Sequence, residues 1–169
     1  MELRKELVAG IAGGLAGGTA MLISMAIGKK IGMIEEPLPL KIERDLEKRA
    51  HVDHKTNARQ EKALAYGEHY LLSAIFGAGY GLLHWATRVS PMPSGQLYGL
   101  GVFVLNLVGI GPALNLTPVP WEQKPSTVIR RAMMHSSFGT VTAIVAEKIR
   151  GFLAQEDNRI LMRRTAESS

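Results

Sequence analysis

Three long stretches of this chain contain no Asp, Glu, Lys or Arg: residues 7–28 (22 residues), 69–87 (19 residues) and 89–121 (33 residues). A hydrocarbon core about 30 Å thick is crossed by roughly 20 residues of helix, so each stretch is long enough to span it. The charges collect elsewhere. Residues 29–68 hold nine basic and eight acidic side chains, so the ordinary overall hydrophobic content of 46% averages two different materials.

The third stretch carries a turn signal, "SPMPSG", which starts its helix near residue 96 and lets it run to about 114. A fourth apolar segment, "AMMHSSFGTVTAIVA" at residues 132–146, is shorter. It spans if Arg130, Arg131, Glu147 and Lys148 keep their charged heads at the interface. The sequence therefore predicts an all-α integral membrane bundle of four helices at about 7–28, 69–87, 96–114 and 130–149. Together they form one domain over residues 1–150. Residues 29–68 are an extramembrane connection, and 151–169 are a polar tail that frays toward "RRTAESS". Tyr66, Tyr70 and Trp121 then fall at one membrane face and Trp85 and Tyr98 at the other, with Tyr80 in mid-span, which suits the interfacial preference of Trp and Tyr.

Within the connection, Leu40, Ile42, Leu46 and Ala50 follow prolines 37 and 39 at helical spacing. They suit either a short helix on the membrane surface or a solvated charged helix. Orientation is weakly coded: eight Lys and Arg fall on the terminal side and twelve on the loop side, nine of them in the long connection, where the positive-inside rule weakens.

"AGIAGGLAGGTA", residues 9–20, has five glycines in twelve residues. A dinucleotide loop needs an apolar strand before it and G-x-G-x-x-G spacing, and a P-loop needs Lys-Ser/Thr after it. Neither is present. A cleaved signal peptide is a further reading, opposed by a 22-residue hydrophobic region and a weakly basic start. As a helix, Gly10, Gly14 and Gly18 recur every fourth residue and form a groove for a neighbour, and Gly77 and Gly81 repeat the spacing.

Ionisable and amide groups inside spans mark functional hypotheses. Those here are His69, His84, Asn106, His135 and Glu147. Each histidine reads as a hydrogen-bonded packing residue, a proton relay, or a ligand to haem or metal. "HVDH" at residues 51–54 and "GEH" at 67–69 lack the spacing of hydrolytic zinc or di-iron sites. No nucleophile, base and orienting group converge, so no catalytic, cofactor or metal residue is assigned. The absence of Cys excludes disulfides and thiolate chemistry. The net charge of +5 comes without the basic and aromatic interleaving of a nucleic-acid binder.

From residue 67 to 150 the order of features resembles the YagU-type bacterial inner-membrane proteins. The residues that carry it are "FGAGYGLLH" after His69, "GQLYGLGVFVLNLVGIGPALNLTPVPW" at 95–121, and "AEKIR" after His135. The resemblance implies a compact helical bundle in the bacterial cytoplasmic membrane and no known reaction. The expected role is helix packing or assembly, with the bilayer, a second copy or other membrane proteins as partners. A proton or small-solute pathway through the polar residues is the alternative, and a soluble nucleotide enzyme a third class.

Overall fold

The computed structural model describes residues 2–33 and 57–167, and among them every regular element is helical. The expectations for Leu40, Ile42, Leu46, Ala50 and "HVDH" fall outside the described residues. Helix α1 is Leu3–Lys30, α2 is Ala58–Thr87 and α3 is Pro91–Val104. The path of α3 continues through a π-helical stretch, Leu105–Ile110, and a last turn, Gly111–Ala113. After a 3-10 turn at Pro120–Glu122, α4 runs from Pro125 to Glu167. Two stretches, Leu3–Lys30 and Pro93–Ala113, are long and apolar enough to cross a membrane.

The helices outrun their expected limits. Helix α1 begins at Leu3, four residues before the charge-free stretch, and α2 begins at Ala58, eleven residues before its own. Charged residues are good helix formers, so the end of an apolar run is not the end of a helix. The same physics extends α4 to Glu167, so the polar tail is helical into the "RRTAESS" end where fraying is expected.

The ends are set by local chemistry. Gly32, at φ +73°, closes α1: the Met33 N–H donates to the Gly28 carbonyl at 2.8 Å and Gly32 N–H to Lys29 at 3.1 Å. This left-handed closing residue is one that glycine adopts without strain. Asn115, at φ 54°, does the same after Ala113, with Leu116 N–H donating to the Gly111 carbonyl at 2.8 Å. Pro112 lacks the N–H that would bond the Val108 carbonyl, and the helix widens into its π stretch just before it. At the start of α2, the Asn57 side chain accepts from the backbone of Arg59 and Gln60, and the Gln60 side chain bonds back to the Asn57 N–H. This reciprocal cap satisfies donors that a helix start leaves open. Asn57→Ala is expected to destabilise the protein by about 1 kcal/mol and to speed amide exchange in the first turn of α2 alone, measured by hydrogen exchange.

Helix α1 lies between α2 and α4, antiparallel to both, and α3 packs antiparallel against α4. The close approaches are backbone to backbone. A Cβ built on Gly14 would stand 2.6 Å from Gly77 Cα, one on Gly10 2.9 Å from Gly81 Cα, and one on Gly139 2.7 Å from Gly99 Cα. Thus Gly10, Gly14 and Gly18 meet Gly77, Gly81 and Ser73, while Gly13 and Gly17 form a second row against Thr142, Ala146 and Phe138. Residues 9–20 are helical throughout, so the glycines cradle no phosphate.

Candidate functional site

Close helix packing by glycine leaves little room for large side chains inside. The buried positions of α1 are Glu6, Ala9, five glycines between residues 10 and 18, then Met21, Met25 and Gly28. Its exposed positions include Val8, Ile11, Leu15, Ile23 and Ile27. Helices α2 and α3 repeat the arrangement with exposed Leu71, Leu72, Ile75, Leu97, Val104 and Val108 around Tyr80 and Ser94. Along the glycine contacts small and polar groups are inside, joined by Tyr80, Phe103, Phe138, Met21 and Met25, and most branched aliphatic groups face outward.

The polar groups fall into two clusters, one at the end of the bundle that holds the start of α1 and one about halfway along α1, beside Gly18. At the end holding the start of α1, Glu6 is 0% exposed. Its Oε2 accepts from His84 Nδ1 at 3.1 Å and Arg150 Nη1 at 3.3 Å, and Arg88 stands 3.6 Å from Oε1. Arg150 also donates to Glu147 through Nε and Nη2, at 3.1 and 2.7 Å. Lys5 pairs with Asp157 nearby. Tyr80 lies against the His84 ring and shares a hydrogen bond with Ser94 at 3.1 Å. The structure thus brings His84 and Glu147 into one network, joined through Arg150 and Glu6. Glu147 itself is half exposed. Glu6, Arg88 and Arg150 went unread because charges served as span limits; the signal was present, since Glu6 begins the four-residue row of Gly10, Gly14 and Gly18.

In the second cluster His69 donates from Nε2 to the Gly18 carbonyl at 3.0 Å. His135 donates from Nδ1 to the Arg131 carbonyl at 2.8 Å, which leaves Nε2 to accept from the Asn106 amide at 3.3 Å. These bonds assign a proton to His69 Nε2 and to His135 Nδ1. Their imidazoles are engaged in packing α2 to α1 and α3 to α4. No group of three His, Asp or Glu able to hold a metal ion occurs among the described residues. Tyr98, expected at a membrane face, turns inward instead: its hydroxyl donates to the Phe76 carbonyl and its ring meets Tyr80 edge-on. A phenol without this acceptor would leave its hydroxyl unsatisfied in the interior.

Between α2 and α3, which barely touch each other, a cleft of about 370 Å³ opens beside the second cluster. Leu72, Phe76, Val102, Phe103, Leu107 and Phe138 give it apolar walls, and Met21 and Met25 its back. His69, Asn106, His135, Thr117 and Arg131 also line it, with exposed Glu68 at its edge. Its size lies in the roughly 300–1,000 Å³ range of small-molecule sites. No constellation of nucleophile and base accompanies it among the described residues. What the arrangement can do is hold an elongated apolar guest.

No family model, curated protein or solved structure matches this chain.

Proposed function

We propose that this protein is a multi-pass module of the bacterial inner membrane that crosses four times, has no catalytic role, and binds its partner within the bilayer. The observation that carries the reading is the inverted distribution of side chains. In water, a shell rich in Leu, Ile and Val around a core of Gly, Ala, bonded polar groups and a few aromatic and Met side chains would be exposed at high cost. In lipid the same shell is matched to its solvent, and close packing of small residues with internal hydrogen bonds supplies the cohesion.

Helices α2 and α4 are less apolar than α1 and α3, yet both lie along α1. Contacts run from Glu6 beside His84 to Gly18 beside His69 on one side, and from Lys5 beside Asp157 to Arg130 beside Met33 on the other. A membrane crossed by α1 is therefore crossed by its two neighbours, which favours four spans. Placement in the inner membrane of a bacterium follows the family likeness alone.

The glycine rows are occupied by the chain's own helices, which favours a self-contained bundle over self-association through those rows. The split of the polar residues into two separate clusters, with Tyr80, Tyr98, Phe138 and the glycine contacts between them, favours a binding module over a proton or solute pathway. The protein is expected to stay in the membrane pellet after carbonate extraction. Reporters fused after residue 89 and at the carboxyl terminus should report one side, and a reporter within residues 115–119 the other. Release by carbonate, or opposite sides for the first two fusions, would remove the four-span reading.

A further inference from the structure

The cleft between α2 and α3 is amphipathic along its length. Phe76, Val102, Phe103 and Phe138 line its deep end, which lies toward the middle of the bundle. Arg131 and Thr117 line the end nearest the start of α4. In the four-span arrangement that end lies toward the membrane face marked by Trp121, 78% exposed, and by Lys124 and Arg130.

Two polar groups there are left incomplete. Arg131 is partly buried and donates from Nη1 to Gln123 Oε1 at 2.8 Å; among the described residues no carboxylate pairs with it. Thr117 Oγ1 is buried with no hydrogen-bond partner among the described residues. A partly desolvated guanidinium calls for an oxyanion, whose geometry its fork of donors matches. An apolar trough that opens sideways calls for a hydrocarbon chain. Glu68, at the edge, is exposed and makes no ion pair with Arg131.

We infer that the cleft holds one acyl chain of an anionic phospholipid, with the phosphate on Arg131. The inference rests on the membrane reading and goes past it by naming the occupant. A bilayer lipid enters between α2 and α3 without leaving the membrane plane, the chain lying along Leu72 and Leu107 and its second chain staying in the bilayer.

The test is native mass spectrometry of the full chain released from detergent after equilibration with dioleoyl phosphatidylglycerol, the matching phosphatidylcholine, or oleate. The expected result is one retained phosphatidylglycerol, favoured over phosphatidylcholine by about tenfold. Arg131→Gln should bring that preference to near unity and Arg131→Lys should keep part of it. Lys124→Gln, which removes an equal charge from an exposed position off the cleft, should leave the preference intact. Leu107→Trp fills the trough and should reduce retention of both lipids. Circular dichroism melting accompanies each variant, so a misfolded Arg131→Gln is recognised and Leu107→Trp and Arg131→Lys decide. Equal retention of both phospholipids by wild type, or equal losses in Lys124→Gln and Arg131→Gln, overturns the site. Retention of oleate in place of phosphatidylglycerol shows the occupant to be wrong. A chain released by carbonate ends the membrane reading as well, whereas a membrane-retained chain without lipid preference ends this inference alone.

Discussion

Gly14→Leu is expected to force α1 and α2 apart and lower the stability of the bundle by at least the upper part of the roughly 1–3 kcal/mol typical of overpacking. Its neighbours are backbone: a Cβ at Gly14 would fall against the Ser73 carbonyl and 2.6 Å from Gly77 Cα. No rotamer change relieves such a contact. Even Gly14→Ala should destabilise, although alanine at an exposed helix position gains about 1 kcal/mol over glycine. The sign therefore separates a packed glycine from an unpacked one. Leu15→Phe adds bulk on the outer face of the same helix, where Leu15 is exposed, and should change little. Insertion should be unaffected, because leucine is the more apolar residue. Thermal melting in detergent and carbonate extraction read the two effects separately. A Gly14→Ala protein that melts above wild type would show that the two helices do not approach as closely as described.

The glycine rows were legible because a helix turns 3.6 residues, so a repeat of four keeps small residues on one face. Which helix fills the row is a matter of tertiary contact. Gly10, Gly14 and Gly18 take α2, while Gly13 and Gly17, one residue earlier in each repeat, take α4. Charge counting found the apolar middles of the helices and misjudged their ends, since Glu6 and Arg150 lie beyond the apolar stretches and are buried by pairing with each other. Tyr98 misled for a related reason: its position along the chain suits a membrane face, and only the Phe76 carbonyl on α2 explains its inward turn. His69, Asn106 and His135 were recognisable as polar residues in apolar helices. Their shared cleft was not, because it arises from the separation of α2 and α3, two helices whose sequences carry no record of the distance between them.

Arg150→Met should be the most damaging substitution at the charged end, costing about 3–5 kcal/mol, the usual effect of breaking a buried ion pair from one side. Glu6 would keep His84 Nδ1 at 3.1 Å and Arg88 at 3.6 Å. Arg88, however, is 54% exposed, and an exposed partner in high dielectric offsets little of the charge left inside. Arg88→Met should accordingly cost under about 1 kcal/mol. Removing both members of the buried pair tells more than either loss alone. Glu6→Leu with Arg150→Met leaves no unpaired charge between α1 and α4, so the double variant should be more stable than Arg150→Met by itself. A coupling energy of about 0.5–3 kcal/mol is expected from the cycle, measured by unfolding in mixed micelles with increasing sodium dodecyl sulfate. Additive losses would mean that Glu6 and Arg150 are neighbours without being partners. Coupling would instead identify why a glutamate sits at the head of a glycine row: the two rows bring α1 close to α2 and α4, and the pair fixes the register in which α4 meets it.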